Sequence, residues 1–365
     1  MTCEEPPCHR FDDAKGDYPK LCEFPRAKQQ PGSQCKDCNN MRKMQRKFEA
    51  VLGGALLKMA SQSALKKSHL IRKTAVLPNM QGLKMNYLER PSREGNRRTV
   101  VFCHGMADEA KNLAAFISSL EIPSDVRILV PDALGHGEDL VRAKKNPEQF
   151  QQPTALSILE STVELLQVLN VESCNVFGYS MGGVLAYFLR YKLPSVVHKT
   201  VLLSPSFESC LDSTFIDDFV QGRKNHWCFE SRDDAKRLFR DLSVPHRRKN
   251  NPIPKFFLEA IWRLQVAQTP RGHYRTMLEG FLKDLGNDSE LKAQEDIDTD
   301  SPRLVLWADH DFICNHEKGK AFFANSSSHT TFETIPDCGH MFHSDGTFIL
   351  DLVRPQVAAY LLDFE

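Results

Sequence analysis

The sequence predicts an α/β protein with a mostly parallel central sheet flanked by helices and a separate helical insertion. Apolar, strand-like runs alternate with helical segments between residues 98 and 205. Residues 206–299 then show only helical patterns and turns, and a strand-like run resumes at Arg303. Strands that alternate with helices form parallel sheets covered on both faces. We therefore expect a core of residues 74–205 and 300–365, with a helical cap at 206–299 inserted between a strand ending near Pro205 and one starting near Arg303.

Composition and charge narrow the range of partners. Of the 365 residues, 41% are hydrophobic and 26% charged, as is usual for a globular protein. The 47 lysines and arginines balance 47 acidic residues, so the net charge does not favour a nucleic-acid partner. No apolar run approaches the roughly 20 residues that span a bilayer. The acidic start MTCEEPPCHRFDD does not resemble a secretory signal, so we expect a cytoplasmic protein.

The first 40 residues are expected to form a disordered tail. They are rich in proline and charge and nearly free of aliphatic residues, so they cannot build a core of their own. Five cysteines crowd this segment, namely Cys3, Cys8, Cys22, Cys35 and Cys38. The spacing of Cys35 and Cys38 is that of half a zinc site. A zinc site, redox chemistry, lipidation and a plain cysteine-bearing tail all stay open.

Residues 41–73 are expected to form a basic amphipathic helical segment. Between 41 and 65, apolar residues recur at steps of three and four, and lysines and arginines lie off that stripe. Such a helix is suited either to packing against the main domain or to peripheral contact with a membrane surface. The cap is a second candidate for that membrane contact. Gly53 and Gly54 weaken the helix in either case.

The spacing of apolar residues and the positions of turn-forming residues predict the strands and helices of the core and cap. Strands are expected at LKMNYLER (83–90, alternating like an edge strand), RTVVFCHG (98–105), VRILVPD (126–132), CNVFG (174–178), TVLLSP (200–205), RLVLWAD (303–309) and TTFETIPD (330–337). Helices are expected near 110–120, 154–169, after 180, in the cap, and at the C-terminus.

The stretch Gly178-Tyr179-Ser180-Met181-Gly182 has the G-x-S-x-G pattern of a nucleophile elbow. A strand before it and a helix after it are the context that this motif requires, and both are expected here. The strained turn at the serine leaves almost no room for side chains two positions away. Gly183 adds a small residue where the helix nears the neighbouring strand. The pattern predicts that Ser180 is an exposed nucleophile.

A nucleophilic serine needs a base and an acid that orients it. Asp309 and Asp311 follow one strand downstream, and His340 and His343 follow the last. The carboxyl ends of parallel strands meet at one edge of the sheet, so these loops converge on Ser180. The chain order serine, aspartate, histidine differs from that of chymotrypsin and of subtilisin.

Two backbone N–H groups are expected to form the oxyanion hole. One belongs to Met181, directly after the nucleophile, and the other to Met106, in the loop after the strand that ends in FCHG. His104 and Gly105 shape that loop. We expect His104 to be structural rather than catalytic.

With these residues in place, the sequence from about 74 to 365 resembles the α/β-hydrolase superfamily. HGM, DALGHGED, GYSMGG, VLWADHDFI and DCGHMFH stand where that superfamily has its oxyanion turn, D-x-x-G-H-G loop, elbow, acid and histidine. The resemblance implies an α/β-hydrolase fold with Asp311 as the acid, His340 as the base and Asp309 as an alternative acid. Ala308 stands where the family usually has glycine. The elbow and cap look most like monoacylglycerol lipase and related lipid esterases.

The expected function is that of a serine hydrolase, with Ser180, Asp311 and His340 as its triad and no metal or other cofactor. Its substrate is expected to be a carboxylic ester, such as a monoacylglycerol or lysophospholipid. A C–C bond or small-ester hydrolase acting on a soluble substrate is the first alternative. The second is a binding protein that has the fold without the activity.

Overall fold

A computed structural model of the chain describes residues 36–93, 95, 98–145, 152–222, 231–244, 255–264, 269–270, 272–286, 291, 302–324, 329–342 and 347–364. The tail ahead of residue 36, with Cys3, Cys8, Cys22 and Cys35, lies outside the described residues. His343 lies outside them as well.

An eight-stranded sheet organises the described part of the chain, and its strand order is β1-β2-β4-β3-β5-β6-β7-β8. The strands are β1 Ile71–Leu77, β2 Leu83–Arg90, β3 Thr99–Cys103, β4 Arg127–Pro131, β5 Cys174–Tyr179, β6 Val197–Leu203, β7 Arg303–Ala308 and β8 Thr330–Ile335. The pairings from β4 through β8 are parallel, whereas β1 with β2 and β2 with β4 are antiparallel. The expected mostly parallel sheet is confirmed.

The sequence reading missed the first strand. β1 forms the edge of the sheet, so β2, expected at the edge, lies between β1 and β4. Arg72 and Lys73 disguise β1 because charged residues are unusual in a strand of a central sheet. Both are accommodated at the edge, where Lys73 Nζ lies 2.7 Å from a Glu89 carboxylate oxygen. An edge strand tolerates such charges because one side of it stays in water.

Helices cover both faces of the sheet, as expected. Those of the core are α2 Ala114–Ser119, α3 Glu138–Lys145, α4 Ala155–Val168, α5 Met181–Lys192, α10 His316–Phe323 and α11 Thr347–Leu362. Alternate residues of β3 serve two hydrophobic clusters, Val101 in one and Val100 and Phe102 in the other. This alternation is what a strand buried on both faces requires.

The cap lies between β6 and β7, as the expected fold class requires. Its described helices are α6 Ser213–Val220, α7 Arg232–Asp241, α8 Lys255–Leu264 and α9 His273–Leu285. No strand occurs among the described residues from 206 to 299.

A long helix, α1 Lys36–Ser68, precedes the sheet and packs against α8 of the cap and α2 of the core. It begins before and ends before the expected 41–73 segment, whose last three residues belong to β1. None of the helices within the described ranges combines the length and hydropathy needed to cross a membrane.

Candidate active site

Ser180 lies on the sharp turn between β5 and α5. Its backbone has φ 54° and ψ −123°, a conformation that costs a residue with a side chain free energy. Backbone hydrogen bonds hold the turn, because Ser180 N donates to Leu203 O on β6 at 2.9 Å and Gly183 N donates to Ser180 O at 2.9 Å. Hydrogen bonds to β6 and to the first turn of α5 therefore hold the strained turn in place.

The glycines around Ser180 are required by close backbone approaches. A Cβ on Gly178 would lie 1.9 Å from Gly182 O, and a Cβ on Gly182 would lie 2.2 Å from Cys103 O at the end of β3. A Cβ on Gly183 would lie 2.9 Å from Pro205 Cβ, so this residue lets α5 approach the end of β6. Backbone atoms cannot yield as a flexible side chain can, so larger residues at 178 and 182 would displace the turn.

The structure brings Ser180, His340 and Asp311 into one hydrogen-bonded chain. His340 Nε2 lies 2.9 Å from Ser180 Oγ, and His340 Nδ1 lies 2.7 Å from Asp311 Oδ2. A carboxylate only accepts, so Nδ1 carries the proton and Nε2 is free to accept one from the hydroxyl. All three residues are buried, with at most 9% of any of them exposed, so the prediction that Ser180 is an exposed residue is wrong. The arrangement can move a proton from Ser180 onto His340.

The two candidate acids of the sequence have different positions. The second oxygen of Asp311 accepts hydrogen bonds from Ile313 N and Cys314 N, both at 2.8 Å, which fixes the carboxylate against His340. Asp309 is exposed and accepts instead from Asp337 N and Cys338 N, at 2.9 and 3.1 Å. Asp309 therefore braces the turn that leads to His340 rather than the imidazole itself.

The two expected oxyanion donors follow two neighbouring strands, Met106 after β3 and Met181 after β5. Met181 is the first residue of α5, where an N–H has no partner within the helix. Met106 follows β3 and is buried. Among the hydrogen bonds that the described residues form, none uses the N–H of either methionine. Both groups can thus donate to a bound oxygen.

His104 supports the oxyanion loop. Its Nε2 accepts from Ala133 N at 3.0 Å, so the proton lies on Nδ1, which donates to Gly105 O at 2.8 Å. Gly105 leaves space for the ring of Tyr179, since a Cβ there would lie 2.9 Å from that ring. These contacts give His104 a structural role in this loop.

Sequence reasoning missed a second histidine that holds the same loop. His136 Nε2 accepts from Ala107 N at 3.2 Å, and its Nδ1–H donates to Leu134 O at 3.0 Å. Ala107 has φ 60°, a strained conformation that this hydrogen bond helps to maintain. The two imidazoles of His104 and His136 pack edge to face, 5.1 Å apart. The DALGHGED motif contained the signal, because its histidine is His136.

Protonation of His136 is expected to destabilise the fold. Burial, and to a smaller extent His104, holds the pKa of His136 well below its usual value. Since the unfolded chain takes up the proton near pH 6.5, stability is full above that pH and falls as the pH drops below it, by up to about 1.4 kcal/mol per pH unit for this one proton. His136→Gln, which keeps a neutral acceptor, should flatten this dependence.

Urea unfolding at a series of pH values from neutral to acidic would measure the slope. His198→Gln is the matched control, because His198 is exposed. The control should keep the wild-type slope below pH 6.5. Equal slopes in wild type and His136→Gln would contradict the role given to this buried imidazole.

The cap is fastened to the loops that carry the site. His273 on α9 donates from Nε2 to Gly135 O in the loop of His136, at 2.9 Å. Leu242, at the end of α7, accepts from Met341 N next to His340, at 3.2 Å. A displacement of the cap would therefore disturb the loop of His136, which bonds to Ala107 next to Met106, and the loop of His340.

Apolar side chains of the cap continue the hydrophobic cluster that contains Met106 and Met181. The cap members include Phe215, Phe219, Leu238, Leu242, Tyr274 and Met277. A lining of apolar side chains with a few polar groups is typical of a small-molecule site.

Asp311, Cys314 and His340 bring three potential metal-ligand atoms within 4.8 Å of one another. A metal would need the Cys314 thiolate, but burial, followed by the charge of Asp311, raises the pKa of that thiol well above its usual value. Asp311 and His340 are also hydrogen-bonded to each other. The donor set suits proton transfer better than a metal ion.

Comparison with known proteins assigns the chain to one family. A family model described as alpha/beta hydrolase fold matches residues 98–347. Among solved structures, a membrane phospholipase A described as a bacterial virulence factor superposes with a TM-score of 0.67, at 17% identity, covering 88% of this chain and 97% of that one.

Two curated relatives are also similar in sequence. The dihydrolipoyllysine-residue acetyltransferase component of the acetoin cleaving system of Cupriavidus necator is 23% identical over 72% of this chain, which spans 63% of that protein. An sn-1-specific diacylglycerol lipase of Mus musculus is 22% identical over 67% of this chain and 76% of that protein.

Proposed function

The chain belongs to the α/β-hydrolase-fold family and is a lipase- or esterase-like serine hydrolase, and we propose that it cleaves a carboxylic ester of a lipid. The observation that carries the proposal is the buried, hydrogen-bonded chain from Ser180 through His340 to Asp311, whose histidine loop is bonded to the cap through Met341 N and Leu242 O. The nucleophile, the base and the orienting acid of ester hydrolysis are all supplied by it.

In the proposed reaction, Ser180 Oγ attacks the ester carbonyl while His340 Nε2 takes up the hydroxyl proton. The negative charge on the carbonyl oxygen is stabilised by the N–H groups of Met106 and Met181. Collapse of the tetrahedral intermediate breaks the ester bond, and His340 returns the proton to the leaving alcohol. Water, deprotonated by His340, then attacks the acyl carbonyl, and His340 returns the proton to Ser180 Oγ as the carboxylic acid leaves. Asp311 stabilises the imidazolium in both steps.

The apolar side chains of the cap support a lipid acyl chain as the part of the substrate that they bind. The cap residues offer hydrocarbon and aromatic surface in the same hydrophobic cluster as Met106 and Met181, the proposed oxyanion donors. Burying an acyl chain there is favourable by about 0.8 kcal/mol per methylene. The diacylglycerol lipase activity named for the mouse relative agrees with such a substrate. A monoacylglycerol or a lysophospholipid is the ester we propose.

Turnover of an acyl-chain series would test the substrate class. We expect kcat/KM for monoacylglycerols to rise at least tenfold from acetyl to medium or long chains, since each buried methylene contributes. Soluble aryl esters of the same acyl groups are the control, because they separate the effect of the chain from that of the head group. Fluorophosphonate should label Ser180 whichever acyl chain the enzyme prefers.

A preference for short acyl groups would contradict the lipid substrate and favour the small-ester alternative. Cleavage of a C–C bond in a diketone without esterase activity would favour the C–C hydrolase. A folded protein inert toward esters and toward fluorophosphonate would overturn the proposed activity in favour of a binding protein.

A further inference from the structure

The face of helix α1 that contacts the rest of the protein is formed mainly by small residues. A Cβ on Gly53 would lie 2.3 Å from Phe256 O on α8 and 2.9 Å from Ala260 Cβ, so the two helices touch through backbone. Ala50, one turn earlier on the same face, is buried. Further along, Ala64 and Leu65 pack on the core cluster that includes the residues of α2. The small side chains of α1 therefore face the cap and the core.

The large apolar residues of α1 point the other way, into solvent. Met44, Phe48, Val51 and Met59 are 70%, 68%, 73% and 64% exposed. Their spacing places them on one face of the helix, and the stripe runs for about 22 Å along its axis. Isolated exposed hydrophobic residues are ordinary, but a continuous row of this length is typical of an interaction surface.

The charge on α1 is strongly positive. The helix holds eight lysines and arginines against two acidic residues. Lys43, Lys47 and Lys58 are exposed, and their positions along the helix put them on one flank of the apolar stripe. Glu49 lies on the opposite flank, where it accepts from Gln45 Nε2. An apolar stripe bordered by lysines complements an anionic lipid surface, which has a hydrocarbon interior beneath negative head groups.

We propose that the exposed face of α1 binds an anionic lipid bilayer. Phe48, Val51 and Met59 enter the boundary between head groups and acyl chains, and the lysines contact lipid phosphates and carboxylates. The helix lies in the plane of the membrane surface rather than across it, as its charge requires. The proposal goes beyond the hydrolase activity and does not depend on it.

This placement also sets the position of the cap relative to the membrane. Because α1 packs against α8 of the cap and α2 of the core, a membrane bound to its outer face is separated from both by the width of this one helix, about 10 Å. An ester that resides in the bilayer would then start about one helix diameter from the cap. A soluble substrate gains nothing from such an arrangement.

Co-sedimentation of the full chain with vesicles tests the proposal. Wild type should bind vesicles of phosphatidylserine and phosphatidylcholine, and Phe48→Gln/Val51→Gln/Met59→Gln should bind at least about tenfold more weakly. The matched control is Ile71→Gln/Val76→Gln/Val168→Gln, which replaces exposed apolar residues outside α1 and should bind as wild type does. Lys43→Gln/Lys47→Gln/Lys58→Gln should lose binding to anionic vesicles selectively.

Ser180→Ala keeps the test separate from the proposed chemistry, because it should bind vesicles like wild type whether or not the chain hydrolyses esters. Turnover of a soluble aryl ester should stay within about twofold of wild type in the α1 triple variant, which shows that it folds. Wild type that ignores anionic vesicles, or a triple variant that binds them equally well, would overturn the proposal. A dimer that dissociates in the triple variant, without vesicle binding by wild type, would overturn it in favour of contact between two copies.

Discussion

Replacing Ser180 by alanine is expected to lower ester turnover by about 10⁵-fold or more while the fold is retained. The hydroxyl accounts for the reaction because its Oγ, 2.9 Å from His340 Nε2, is the atom that forms the acyl-enzyme. Alanine has no such atom, and its small side chain fits the same turn. Single-turnover kinetics with a monoacylglycerol and labelling by fluorophosphonate would measure the loss.

Ser161→Ala is the matched control for this experiment. Ser161 is also buried, but its hydroxyl donates to Ile158 O within α4 and is not part of the hydrogen-bonded chain of Ser180, His340 and Asp311. Its removal should leave turnover within about twofold and cost about 1 kcal/mol of stability. Fluorophosphonate labelling that persists in Ser180→Ala would show that another residue is the nucleophile.

Replacing Asp311 by asparagine is expected to reduce kcat by about 10⁴-fold, equivalent to about 5 kcal/mol of the barrier. Asparagine keeps an oxygen that can accept from Ile313 N and Cys314 N, so the loop is preserved. Its amide NH₂ then faces His340 Nδ1, which must become an acceptor. The proton moves to Nε2, and the imidazole can no longer accept one from Ser180. Steady-state kinetics with a soluble aryl ester would measure the effect.

Asp309→Asn separates the two acids that stand two residues apart. Asp309 is exposed and braces the turn before His340 through Asp337 N and Cys338 N. We expect at most about a tenfold loss of kcat, together with a small loss of stability, since one of the two hydrogen bonds is kept. If Asp309→Asn were the more damaging substitution, the role assigned to Asp311 would be wrong.

Features whose cause is local could be predicted from the sequence alone. The elbow is the clearest example, because a strained serine excludes side chains at Gly178 and Gly182 whatever the rest of the chain does. The parallel sheet and the helical cap followed from periodicity. The convergence of Ser180 with loops after two later strands followed from the geometry of parallel sheets.

Which side chains meet within the converging loops could not be predicted from local patterns. Asp309 and Asp311 both follow β7, and only the packing of their loop against the turn before His340 directs one of them to the imidazole. His136 acquires a role because the fold brings its loop to Ala107.

The helix α1 shows the same division most plainly. The sequence determined an apolar stripe and a basic flank, because both depend on helical spacing alone. It left open whether the stripe was buried or outward. The tertiary structure decided this through Gly53, since two helices approach most closely where neither has a side chain between their backbones. That contact turns Phe48 and Val51 toward solvent.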